Sequence, residues 1–286
     1  MKFPSPLILT LAALFYFGPA HAAEEPAKKE KPLPQENIYI QIGAFVIGNT
    51  NTLMGAENSG LGAYLDTNEL LDMESSVTVA RLDGYWRFTP HQRLEFGYYN
   101  INRTGTKVLN QNIEWDGEVF AIGTNVNSDL KTTTYKLNYS WSFYRNEKVD
   151  LGIGAGLHIT EIEASLDGTA YTNPSDPNNP ATEYVGAQTV KVLAPLPVGG
   201  FRISYNITDR LRIRGSTDIF ALRFEGNKGN FRDTSIGLDW RFSKHVGVGG
   251  SLVSDNLYLE ATADNETTLK IKNDVLGAEA FVSFYF

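Results

Sequence analysis

Residues 281–286 read FVSFYF, and their spacing decides the fold. Counting back from Phe286, every second position is small or apolar: Phe284, Val282, Ala280, Ala278 and Leu276. Tyr285, Ser283, Phe281, Glu279 and Gly277 fall between them. A period of two is that of a β-strand, whose successive side chains point to opposite faces. Chain termini fray in water unless something ties them down. A terminus this apolar therefore either enters a protein core or faces a solvent other than water.

The same alternation recurs upstream. In TTTYKLNYSWSF, Thr133, Tyr135, Leu137, Tyr139, Trp141 and Phe143 share one face, and Thr132, Thr134, Lys136, Asn138, Ser140 and Ser142 the other. VDLGIGAGLHIT sets Val149, Leu151, Ile153, Ala155, Leu157 and Ile159 against Asp150, three glycines, His158 and Thr160. RDTSIGLDWRF sets Ile236, Leu238, Trp240 and Phe242 against Asp233, Ser235, Gly237, Asp239 and Arg241. Four segments, WRFTPHQRLEF, SFYRNEKVDL, SYNITDRLRI and WRFSKHVGVG, interrupt the pattern with a few polar residues and then resume it, as tight hairpins do. Longer polar stretches near 49–76, 105–130 and 165–190, and shorter ones near 225–230 and 260–267, alternate with these turns.

Composition narrows the class. The 286 residues include 26 Gly, 14 Tyr and 16 Phe, which suits short turns and strands. The mean hydropathy is −0.24, and no apolar run after the N-terminal segment approaches the roughly 20 residues of a membrane helix. A transmembrane barrel is not excluded, because half of each strand faces its interior. The absence of cysteine excludes thiol catalysis and Cys-ligated zinc. A formal net charge of −8 opposes a nucleic-acid partner, which calls for basic stripes.

The N-terminus reads as a secretory signal over residues 1–22: Lys2, an apolar stretch from Leu7 to Phe17, and a small-x-small site at Ala20-His21-Ala22. Residues 23–36, charged and Pro-rich, read as a flexible periplasmic lead-in. Residues 37–286 form the barrel domain. The turns predict ten strands, with eight as the alternative: 37–48, 77–88, 92–104, 131–143, 148–164, 191–206, 210–224, 231–242, 245–259 and 268–286. Pro195 and Pro197 in VLAPLPVGGF predict a bulge or a broken ladder in the sixth, since proline removes a ladder hydrogen bond.

A soluble sandwich would also alternate, so the level of the aromatics decides between the two. Trp86, Phe88, Trp141, Phe143, Tyr205, Trp240, Phe242, Phe284 and Phe286 gather on the apolar face at the short-turn end. That is an interfacial girdle, expected where strands cross from lipid to water. The fold class is all-β: a closed antiparallel up-and-down transmembrane β-barrel.

With these features the chain resembles a Gram-negative outer-membrane β-barrel protein over essentially its whole mature length. The resemblance implies an outer-membrane location with periplasmic termini, and contact with outer-membrane lipids and lipopolysaccharide. It also implies that the barrel-assembly machinery reads the last strand, here AEAFVSFYF with Phe286, Phe284 and Val282 as the assembly signal.

Inward parity gathers Arg81, Asp83, Arg87, Glu95, Lys136, Asp150, His158, Arg202, Arg212, Arg214, Asp218, Asp239, Arg241 and Glu279. Charges so crowded are expected to pair, filling the barrel as a structural network. The sharper alternative is a narrow polar conduit or small-ligand transporter; general diffusion of sugars would need about 16 strands. Outer-membrane proteases and lipid A-modifying enzymes are a second alternative. His91 and His245 lie in turns, leaving His158-x-Thr160. The omptin proteases resemble the chain in size and strand count, but no aspartate neighbours His158 in sequence and no D-x-D stands near a strand top. No catalytic residue is assigned. The acidic segment DTNELLDMES (66–75) lacks the spacing of an EF-hand, so no metal or other cofactor is assigned either. The expected role is a structural or loop-mediated one, with DGTAYTNPSDPNNPATEY (167–184) as a polar loop open to an extracellular ligand.

Overall fold

Alternation in the sequence becomes alternation in space. The computed structural model describes residues 36–58, 65–115, 118–172, 182–224, 227–262 and 267–286. The expected signal sequence and residues 23–35 of the lead-in lie outside these, as do residues 173–181 of the polar loop. Thirteen strands and one short helix occur: β1 Ile38–Asn58, β2 Leu65–Asp66, α1 Thr67–Leu71, β3 Val77–Thr89, β4 Gln92–Val108, β5 Ile113–Trp115, β6 Glu118–Phe120, β7 Asn125–Arg145, β8 Val149–Thr172, β9 Thr182–Asn206, β10 Leu211–Phe224, β11 Asn227–Arg241, β12 Val246–Thr262 and β13 Thr267–Tyr285.

Ten of these strands form the wall, in the order β1-β3-β4-β7-β8-β9-β10-β11-β12-β13, each antiparallel to the next. β13 returns to β1 through pairs such as Tyr39↔Tyr285 and Ala44↔Ala280, which closes the barrel. The closure extends to the terminus. The Phe286 carbonyl accepts from the Asn37 and Ile38 amides at 2.7 and 2.9 Å, and the Phe286 amide donates to Ile38 O at 2.9 Å. The terminal aromatics thus lie in the seam that joins the ends of the sheet.

Three of the four tight turns share one chemistry. Asn146, Thr208 and Ser243 each accept, through a side-chain oxygen, the amides two and three residues ahead, at 2.8–3.3 Å. Such residues favour turns because a short polar side chain can replace a backbone acceptor. Trp86, Phe88, Trp141, Phe143, Tyr205, Trp240, Phe242 and Phe286 stand exposed on the outer wall near this end, with Phe284 half-buried. Ring pairs such as Trp86–Phe88 and Trp240–Phe242, 5.6 and 6.0 Å apart, run along this level. Above them, exposed Leu137, Ile153, Ile203, Ile236, Leu252 and Leu276 continue the apolar outer face. A surface this extensive and this apolar is a lipid-facing belt, not a wet one.

Three segments read as loops are entered by strand among the described residues. β1 runs ten residues beyond position 48, β7 starts at Asn125, and β8 and β9 extend to 24 and 25 residues. The reason is visible in β8. Up to Ile159 apolar residues point out; beyond it Ile162, Ala164 and Leu166 are buried inside while Glu161 and Glu163 turn outward. The alternation inverts its polarity and does not stop.

The prolines of β9 produce no bulge against β8; that register is continuous from Val149↔Tyr205 to Thr172↔Thr182, with Pro195 opposite Ile159 and Pro197 opposite Leu157. On the other side the ladder to β10 ends at Gly199↔Ile219. Of the two expected irregularities, the broken ladder is the one observed.

Candidate functional site: the barrel lumen

The lumen has two halves of different chemistry. At the turn end, Glu36 enters the mouth and is 8% exposed, although its sequence context reads as lead-in. Its carboxylate pairs with Arg212, accepts from Arg241 Nη2 at 2.9 Å and accepts the Tyr85 hydroxyl at 2.8 Å. Burial would raise its pKa, but the charges of Arg212, Arg241 and Arg214 outweigh that and hold the carboxyl well below the usual range. Beside it, Arg214 stacks on the Tyr39 ring at 3.4 Å and donates to Asp239 at 2.5 Å. Asp239 also accepts from Tyr285 and Ser283, at 2.5 and 3.0 Å. Arg87 donates to Asp150 at 2.7 Å.

Deeper in, side chains meet across the lumen. Arg202 on β9 donates to Glu95 on β4 at 2.7 Å and to Asp218 on β10 at 2.8 Å. Arg93 and Ser140 complete the Glu95 carboxylate, at 2.7 and 2.9 Å. Arg81 pairs with Asp83 at 2.5 Å and lies 3.8 Å from Glu279. Lys136 on β7 pairs with Asp233 on β11, and the Tyr99 hydroxyl on β4 donates to Asp255 on β12 at 2.6 Å. At least two wall strands separate the partners of the Arg202–Glu95, Lys136–Asp233 and Tyr99–Asp255 contacts. Each spans the lumen. All fourteen charged residues expected inside are brought into this interior, and all but His158 join a neighbour of opposite charge within 3 Å or, for Glu279, 3.8 Å.

His158 is fully buried. Its Nε2 lies 3.5 Å from Asp218 and 3.3 Å from Asn138 Nδ2, with the Phe231 ring edge-on at 5.3 Å. Sequence inspection finds no aspartate near His158, because Asp218 arrives from β10, two strands away. Thr160 sits beside Thr134 at 3.4 Å, a contact between neighbouring strands.

The far half of the lumen is apolar, which inner-face charge alone does not foretell. Leu130, Ile162, Leu196, Val198, Phe231, Leu257 and Ile271 from six wall strands form one buried cluster. Leu71 and Met73, from the segment expected to be an acidic loop, insert into it. Asp66 caps α1 by accepting from the Asn68 and Glu69 amides at 3.0 and 3.1 Å. Arg103, 2% exposed, fastens the segment to the wall by donating to Glu74 O at 2.7 Å and to Asn68 Oδ1.

No protein-family profile matches the chain, and no curated protein matches it. Solved structures do. The outer-membrane protease OmpT from Escherichia coli superposes with a TM-score of 0.53 at 11% identity, covering 90% of this chain and 99% of that one. OprG from Pseudomonas aeruginosa matches at 10% identity and TM-score 0.35, covering 88% and 96%. Ail of Yersinia pestis, in complex with a heparin analogue, matches at 12% identity and TM-score 0.31, covering 86% and 99%. Identities this low extend to the fold alone. The chain has the fold of the Gram-negative outer-membrane β-barrel proteins.

Proposed function

We propose that this chain is a small integral outer-membrane protein, with its termini in the periplasm, that acts through the projecting far end of its barrel and not by conducting solutes. The observation that carries the reading is strand length. A tilted span takes about 9–11 residues, yet β8 and β9 have 24 and 25 and turn outward-polar beyond Ile159. The excess projects from the membrane as a continuation of the wall, with β8 paired to β9 on one side and to β7 as far as Asp167 and then β6 on the other. Short turns on one side and long hairpins on the other match the periplasmic and extracellular ends of this architecture.

On this reading the apolar belt contacts outer-membrane lipid and lipopolysaccharide. The assembly machinery reads Phe286, Phe284 and Val282, and the projecting strands offer the surface for an extracellular ligand. No reaction or cofactor is assigned, since the His158–Asp218 couple is enclosed at mid-lumen. The rival reading, a narrow conduit through the charged half, is opposed by the pairs that bridge the lumen.

The test is photo-cross-linking in intact cells from benzoylphenylalanine placed at Thr189 or Asn127, both exposed on the projecting strands, against Ile153 within the belt. Protein or polysaccharide adducts are expected at the first two positions and lipid adducts at the third. Lipid adducts at all three would contradict the reading.

A further inference from the structure

The two prolines of β9 lie on one edge of that strand. The Asn206 amide donates to Lys148 O, on the β8 side, at 2.8 Å. Amides alternate sides along a strand, and the β8–β9 register runs without a slip to Thr172↔Thr182. Even-numbered β9 amides therefore face β8, and odd-numbered ones face away from it, toward β10. Pro195 and Pro197 are odd, and they come just beyond Gly199, where the ladder to β10 ends. They stand opposite Ile159 and Leu157, where β8 is still apolar outside. At that level an unpaired donor would face hydrocarbon, which is costly.

Farther along the strand the blunting stops. Leu193, Lys191, Thr189 and Ala187 are odd as well, and each keeps its amide. Among the described residues none of these four makes a backbone hydrogen bond on the β10 side. All four are exposed. Free edges of this kind template pairing with another chain, so proteins commonly close them with proline, charge or a covering loop. Residues 185–193 instead read VGAQTVKVL, rich in the β-branched residues that favour a strand. Lys191 is the charged residue of this run, and Glu163 on β8 holds it at 3.0 Å. Two faces flank the edge: Thr189 and Lys191 outside, and half-buried Val190 and Val192 inside, with Val192 packed against the apolar cluster of the lumen.

On the reading of the projecting strands as a binding surface, we propose that the β9 edge from Ala187 to Leu193 docks an extended segment of another protein, which adds to the sheet as its next strand. A row of backbone donors and acceptors at strand spacing is matched by a second peptide backbone, not by a sugar or an acyl chain. The two faces call for a segment that alternates polar and apolar residues, with its apolar side next to Val190 and Val192.

Parity supplies the test. Ala187→Pro and Lys191→Pro each delete one donor on the free edge and none toward β8. Pro195 and Pro197 already occupy such positions with the β8 register continuous. Ala187→Ser and Lys191→Ala change the same side chains and keep the donors. Benzoylphenylalanine at Thr189 reports from between them in intact cells. Protein adducts are expected to fall about fivefold or more in each proline variant, the effect of one lost backbone hydrogen bond. In the two controls they should stay within about twofold. Should the proline variants not assemble, amide exchange of the native chain serves, comparing outer-membrane fragments with the purified protein. The Ala187, Thr189 and Lys191 amides are expected to exchange more than about tenfold slower in the fragments, and those of Gln188 and Val190 at the same rate in both. No adduct, adducts solely with polysaccharide or with a second copy of this chain, adducts the prolines do not reduce or the controls reduce equally, or free-edge amides that exchange alike in both preparations would each overturn the proposal. Protein adducts indifferent to proline would leave the projecting surface in place, whereas lipid adducts from Thr189 would remove both.

Discussion

Replacing Arg202 with methionine keeps most of the side-chain volume and removes the charge that joins three strands across the lumen. Arg202 is 6% exposed and donates to Glu95 at 2.7 Å and to Asp218 at 2.8 Å, besides the Thr217 carbonyl at 3.2 Å. The two carboxylates are left differently. Glu95 retains Arg93 and Ser140, both within 2.9 Å. Among the described residues Asp218 retains Asn138 at 3.3 Å and His158 at 3.5 Å. Hydrogen bonds to charged groups contribute about 1.5–3 kcal/mol each, so losing both amounts to roughly 3–6 kcal/mol before relaxation. Orphaning one member of a buried pair costs about 3–5 kcal/mol in general. With Glu95 still held, about 3–4 kcal/mol is expected here. Equilibrium urea unfolding in phosphatidylcholine vesicles, followed by tryptophan fluorescence, reads it directly. Adding Asp218→Asn to the variant removes the orphaned charge, leaves the Arg93–Glu95 pair in place and should recover at least half of the loss. A loss below about 1 kcal/mol, or a double variant as unstable as the single one, would refute the bridging role.

Two further outcomes follow from the contacts. A Cβ at Gly105 would lie 2.3 Å from Leu71 O and 3.0 Å from Met73 N, so Gly105→Ala should push residues 66–73 off the inner wall. Overpacking of this kind costs about 1–3 kcal/mol; faster amide exchange confined to residues 67–73 would show it, and unchanged exchange would contradict it. The Glu36 carboxyl is depressed in the folded state, so its contribution is present above the unfolded carboxylate pKa of about 4.3 and fades as pH falls below it. Glu36→Gln should therefore destabilise the barrel at pH near neutrality by more than it does near pH 3 (both roughly chosen to bracket that value), whereas a difference that does not change with pH would exclude the ion pairs as the cause.

Ten strands and their turns were legible because period-two alternation and turn chemistry are local. Strand ends were not. Beyond Ile159 the outer face becomes polar and the inner face apolar, so Glu161 and Glu163 look like loop residues although the ladder continues through them. Parity also tells which residues enter the lumen but not which ones meet. That depends on the stagger of strands around the barrel, which brings Asp218 to His158 and Asp233 to Lys136. Glu36 left only an indirect trace: Arg212, Arg214 and Arg241 crowd the mouth, where the inward parity supplies them with Asp239 as an acid. An excess of arginine at one level of a closed barrel calls for a carboxylate from outside the strands. The apolar far lumen could have been read from Phe231 and Leu257, which occupy inward positions next to the inward acids Asp233 and Asp255 of their strands.

The central claim is that side chains meeting across the barrel close it to ions. Single-channel recording of the purified protein in planar bilayers tests that claim most directly. The account predicts a quiet baseline across the voltage range, with no discrete steps. Reproducible, ohmic unitary conductance from the folded protein would contradict it.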